Sequence, residues 1–149
     1  MTDPNLGNGV ILGIDPGTRK CGYALVAAIG ARPMDLGIIL TPELGPALAE
    51  IVARFAPTEI ALGGGTHAEA IGAVLAGLGL PIAIVDERAT TLLARERYFA
   101  ANPPKGWRRL VPRGMLLPPR PIDDFAAVLI AERLLASRLD ATRAAASGN

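Results

Sequence analysis

A five-residue apolar run, Val10–Ile14, ends on a single acid, Asp15, and Pro16-Gly17 turns the chain directly after it. A run this short between turn signals suits a buried strand and is too brief for a helix of ordinary length. Thr18, Arg19, Lys20 and Cys21 lead to Gly22, and a second apolar run, Tyr23–Ile29, heads back. A lone aspartate at a strand tip, followed by a glycine turn and two cations, suits a metal ion held against phosphate. An Asx-type turn, with Asp15 only capping a hairpin, fits the same residues. This stretch by itself leaves both readings open.

The elements that follow fix the fold class. Strands are expected at 10–14, about 22–28 and about 35–40, joined by short turns, so the first half reads as an antiparallel meander. Pro42-Glu43 opens a helix to about Phe55, with Leu44, Leu48, Ile51, Val52 and Phe55 at helical spacing. Glu59–Leu62 is a short strand, Gly63-Gly64-Gly65-Thr66 a tight loop, and His67–Gly77 a second helix. Pro81 introduces a strand at 82–85 that ends on Asp86-Glu87, and Thr90 is an N-cap for a helix over 91–101. A last helix is expected from Asp123 to about Leu139. The order βββαβαβα predicts an α/β domain with a mixed five-stranded sheet: three antiparallel strands, then two parallel ones reached by helical crossovers. The expected organisation is a flexible leader over 1–9, one domain over 10–140 and a frayed tail over 141–149.

Composition narrows the chemistry. With 149 residues, 50% hydrophobic and 19% charged, most of the chain is folded as one domain. No apolar run approaches the roughly 18 residues of a membrane span, and Met1–Gly9 does not read as a signal peptide, so a cytoplasmic location is expected. A single cysteine, Cys21, excludes an internal disulfide, and a single histidine, His67, excludes the usual zinc ligand sets. Carboxylates and water remain as metal ligands, which suits Mg²⁺ or Mn²⁺. Lys105, Arg108, Arg109, Arg113 and Arg120 lie between 102 and 120 with no acid among them. The other 10 basic residues face 14 acids, so the rest of the chain sums to −4. An acidic body with one basic segment implies a polyanionic partner met at one place.

Three acidic points fall at element ends: Asp15, Asp86-Glu87 and Asp123-Asp124. One end of the sheet could gather all three. Such a cluster could hold two divalent ions, which would activate a water and stabilise the leaving oxygen of a phosphodiester, chemistry that needs neither cysteine nor histidine. Each point also has a plainer role: Asp123 as an N-cap, Asp124 as a helix-dipole partner, Asp86-Glu87 as polar residues closing a strand.

I-L-G-I-D-P-G-T-R-K-C-G-Y resembles the first strand and hairpin of the RuvC and YqgF (RuvX) nucleases of the ribonuclease H-like fold. V-D-E-R-A-T-T resembles the YqgF family's D-E-R-x-[ST]-T motif, and I-D-D-F-A-A-V-L-I its closing I-D-x-x-A-A-V helix. The matches keep the family's order and span about Val10 to Leu135. The resemblance implies a ribonuclease H-like sheet with helices on both faces and a divalent-metal-dependent nuclease with a carboxylate triad. By position Asp15 matches the first acid, Glu87 the second and Asp123 the third, with Asp124 the adjacent competitor. The chain departs from the family after its fourth strand, where G-[LF]-P-x-N-x-x-G-T is shortened to L-G-G-G-T.

The resemblance also implies a role in maturing pre-ribosomal RNA, so RNA is the expected substrate. A Holliday-junction resolvase acting on branched DNA is the alternative, and a non-catalytic nucleic-acid-binding protein is another. A sugar kinase or actin-like ATPase shares D-x-G-T but needs a duplicated domain that 149 residues do not supply. Arg19, Lys20 and Arg88 flank the acids and are expected to steer the strand. Thr66 and the glycines before it could present backbone N–H groups to a phosphate; a tight strand-to-helix turn fits them equally. Lys105, Arg108, Arg109 and Arg113 could neutralise phosphates and Trp107 among them stack on an unpaired base; Trp107 packed on the body with the arginines solvated fits the same residues. His67 reads as a helix-start residue and Cys21 as a small buried one. Oligomeric state is left open, a homodimer being one option.

Overall fold

The structure is a computed structural model that describes residues 9–86, 100–101 and 123–147. The elements are β1 (Ile11–Asp15), β2 (Lys20–Val26), β3 (Asp35–Leu40), α1 (Leu44–Phe55), β4 (Glu59–Gly63), α2 (Ala68–Leu75), β5 (Ile82–Val85) and a closing helix α3 (Asp123–Ser147). The sheet order is β3-β2-β1-β4-β5. β1 pairs antiparallel with β2, and β2 with β3; β1–β4 and β4–β5 are parallel. This is the expected mixed sheet. The helix expected over 91–101 lies outside the described residues except for Ala100 and Ala101, which are helical.

β1 is the centre of the sheet, and alternation along it sets up two cores. Leu12 and Ile14 pack with Leu44, Leu48, Ile60, Leu62, Ile71 and Leu75 under α1 and α2. Ile11 packs with Ala24, Ala61, Val128, Ile130 and Ala131 under α3. The domain therefore has three layers, with helices on both faces of the sheet.

Element ends differ from expectation for backbone reasons. β2 begins at Lys20 rather than Gly22, because Lys20 and Cys21 pair with Leu40 and Ile39. Hydrophobicity does not report that pairing. A 3-10 turn, Thr41–Glu43, precedes α1, and Ala56 closes α1 in the left-handed region (φ 49°), its N–H bonded to the Val52 carbonyl at 2.9 Å. The closing helix passes its expected end at Leu139 and runs to Ser147. Residues 137–142 are exposed there, so apolar spacing ends while alanine propensity carries the helix on.

α3 lies unusually close to β1 at one point. A β-carbon on Gly13 would sit 2.2 Å from the Ala127 carbonyl oxygen and 3.0 Å from the Ala131 β-carbon. Backbone meets backbone there, so neither element can yield by turning a side chain. We expect Gly13→Ala to destabilise the domain by about 1–3 kcal/mol, read as a lower urea midpoint at constant slope. An unchanged midpoint would show that α3 does not seat on Gly13.

Candidate active site

Asp15 ends β1 and shares strand parity with Ile11 and Gly13, so it belongs to the α3 face of the sheet. It is half-buried. The direction of α3 follows from its far end, where Arg138 forms an ion pair with Glu59, the first residue of β4 and the neighbour of Ile11. The helix thus runs against β1, and its N-terminus lies towards the Asp15 end. From the contact at Gly13, Asp15 is two residues along the strand, about 6.5 Å. Asp124 is three residues back along the helix from Ala127, about 4.5 Å in the same direction.

Asp124 stands in the helical stripe of Ala127, Val128 and Ala131 and is only 2% exposed, the one buried charged side chain among the described residues. Its Oδ1 accepts the Phe125 N–H at 3.0 Å. Asp123 is the first residue of the helix. Asp86 follows β5 and is exposed, and Arg133 of α3 donates to its carbonyl. One edge of the sheet therefore carries Asp15 and the start of the helix that bears both aspartates.

The β1–β2 hairpin forms the rim of this edge. Asp15, Pro16, Gly17, Thr18, Arg19 and Lys20 line a cleft of about 230 Å³. Gly17 is required by space: a β-carbon there would meet the Lys20 carbonyl oxygen at 2.1 Å. Thr41, at the end of β3, holds the hairpin through its hydroxyl, which donates to the Gly17 carbonyl at 3.0 Å, and its N–H, which donates to the Arg19 carbonyl at 2.9 Å. Cys21 is fully buried beneath, its Sγ 3.5 Å from the Thr41 hydroxyl. His67 does stand at the start of α2, as expected, and its Nε2 also shares a 2.9 Å hydrogen bond with the Thr18 hydroxyl. Thr41 and the Thr18–His67 pair were not legible in the sequence; only the neighbouring glycine run hinted that His67 lies near a turn.

Arg19 and Lys20 share the hairpin with Asp15, and Thr66 is exposed in the β4–α2 loop. Glu87, Arg88, Lys105, Trp107, Arg108, Arg109 and Arg113 lie outside the described residues. Among the described residues no group of three or more His, Cys, Asp or Glu side chains could hold a metal ion. Asp15 and Asp124 offer hard oxygen donors, which suit Mg²⁺ or Mn²⁺ rather than a softer ion. No helix among those residues is long and apolar enough to cross a membrane.

No family model matches the chain. It is 31% identical over 153 residues to a "putative pre-16S rRNA nuclease" of Azotobacter vinelandii, an alignment covering 93% of this chain and 98% of that protein. The chain belongs to the pre-16S rRNA nuclease (YqgF/RuvX) family. Its relative of the same description in Pelotomaculum thermopropionicum is 31% identical, covering 86% of this chain and 87% of that one. The crossover junction endodeoxyribonuclease RuvC of Anaeromyxobacter sp. matches at 38% over 61 residues, 34% of this chain and 33% of its own. Among solved structures, Thermus thermophilus RuvC in complex with Holliday junction substrate superposes with a TM-score of 0.55 at 21% identity, over 83% of this chain and 90% of that one. That likeness establishes the ribonuclease H-like fold.

In this member of the family one ionisable group near the sheet edge is strongly perturbed. The Tyr23 phenol is pushed up to about 12, first by burial, then by its hydrogen bond and proximity to Asp35; Arg54 opposes and Asp124 adds to the rise. The hydroxyl donates to Asp35 Oδ2 at 3.0 Å. Because the folded value exceeds the unfolded one near 10, the stabilisation is complete below about pH 10 and is lost as pH rises towards 12. In a Tyr98→Phe background, ultraviolet titration should show a single phenol ionising near 12, and Asp35→Asn should lower that midpoint. A midpoint unmoved by Asp35→Asn would remove Asp35 as a cause.

Proposed function

We propose that this chain is a divalent-metal-dependent nuclease that hydrolyses phosphodiester bonds in RNA, with Asp15, Glu87 and Asp124 holding the metal. The observation that carries the proposal is the shared position of Asp15 and Asp124 at one end and on one face of the sheet, beside a cationic hairpin. Membership of a family whose relatives are named nucleases supports the reaction class. The substrate in their name, pre-16S rRNA, favours RNA. Asp124 is preferred to Asp123 as the third acid because it is buried in the stripe that faces β1. A divalent cation is a charge that suits a carboxylate at that depth.

When bound, the metal ions would supply charge neutralisation at the scissile phosphate and activation of the attacking water. The chain's own residues do the rest. Arg19 and Lys20 draw the phosphate backbone to the cleft that Asp15 closes. Gly17 keeps the hairpin tight, the absence of a side chain leaving room for the Lys20 carbonyl. Lys105, Arg108, Arg109 and Arg113 add phosphate contacts further along the strand, and Trp107 a stacking surface.

Cleavage of single-stranded RNA and of a four-way DNA junction, each with Mn²⁺ and with chelator, tests the assignment. We expect metal-dependent cleavage of RNA. Preferential junction cutting would transfer the protein to the resolvase alternative, and binding without cleavage under any divalent ion would make it a non-catalytic binder. Asp15→Asn and Asp124→Asn should each reduce cleavage on the order of a hundredfold or more while RNA binding persists, whereas full activity in either would remove that acid from the site. Replacing Lys105, Arg108 and Arg109 with alanine should weaken binding and flatten its salt dependence by about one unit of slope for each phosphate no longer neutralised. A constant slope would mean that these side chains do not meet the backbone.

A further inference from the structure

The phosphate-facing hairpin is gripped from two sides. On one, Thr41 fixes the backbone through the Gly17 and Arg19 carbonyls. On the other, the only histidine in the chain reaches across from the start of α2 and bonds the Thr18 side chain. Thr18 and His67 are both exposed, and they are 49 residues apart in sequence. An exposed hydrogen bond between two loops adds little to global stability. Its effect is local, on where residues 15–20 stand.

We infer that His67 is a positioning residue for nucleic-acid binding: through Thr18 it holds the hairpin so that Arg19 and Lys20 meet substrate phosphates in register with Asp15. The inference rests on the nuclease assignment above. The geometry favours binding over chemistry as the step affected. Thr18 lies between Asp15 and the two cations on the cleft wall, and β1 anchors Asp15 independently through its pairing with Gly22. Thr18 stands outside both strand ladders, so releasing it moves the hairpin tip, and the Arg19 side chain next to it, more than Asp15. The glycine run Gly63-Gly64-Gly65 brings the start of α2 to this place. The Gly64 N–H bonds the Val85 carbonyl at 2.7 Å, which fixes the loop to the end of β5. His67 is thus presented from a pinned base.

Steady-state RNA cleavage with Mn²⁺, together with imidazole NMR of the sole histidine, tests this. His67→Ala and Thr18→Ala should each raise KM about three- to tenfold, the worth of one hydrogen bond, with kcat little changed. The double variant should be no worse than either single one, because both remove the same hydrogen bond. His67→Gln and Thr18→Ser, which keep a partner for the bond, should recover most of the loss. Thr18→Ala should move the His67 ring resonances and Thr18→Ser should not. If the wild type cleaves RNA but the two alanine variants match it, or their losses add, the inference is overturned while the nuclease assignment stands. If the wild type cleaves no nucleic acid, the assignment itself falls and takes this role with it.

Discussion

Where a helix carbonyl rests directly on a strand, no side chain can intervene, and that condition at Gly13 governs the rest of this domain. The oxygen of Ala127 occupies the space a β-carbon would fill. The small residues around it, Ala24, Ala61, Ala127 and Ala131, keep the helix low across the sheet. Close approach of this kind trades apolar side-chain volume for short-range dispersion contacts.

That fixed height explains why two aspartates distant in sequence share one edge. Asp15 follows Gly13 by one strand repeat, and Asp124 precedes Ala127 by most of a helical turn. Farther along, the helix is secured by Arg133 on the Asp86 carbonyl and by Arg138 on Glu59. The polar contacts thus hold the axis from outside the apolar seam. The placement of these two aspartates therefore derives from packing, not from the short sequence motifs that contain them.

Much of the architecture was legible in the chain. The β3 and β5 boundaries agree because turn residues bracket them, and β1 agrees to one residue because its apolar run stops at Asp15. The final helix was harder to delimit. Its second half leaves the sheet, so hydrophobic spacing gives no signal there and alanine propensity decides. At the site, sequence order placed Asp15 and the aspartate pair at element ends but could not choose between Asp123 and Asp124. The burial of Asp124 depends on helical phase relative to β1, which Gly13 sets from more than a hundred residues away. The Thr18–His67 and Thr41–Gly17 contacts were invisible for a similar reason: the first exists only after β1 pairs with β4, the second only after β2 pairs with β3.

The order of elements along the chain has a consequence for biosynthesis. The meander and the first crossover can pair as soon as they emerge, and they complete only the core under α1 and α2. Among the described elements only α3 covers the other face of β1, which carries Gly13 and Asp15. Without this helix the described sheet would present an apolar face beside Asp15. The last described element of the chain thus seals that face and carries Asp124 in together with its own apolar stripe.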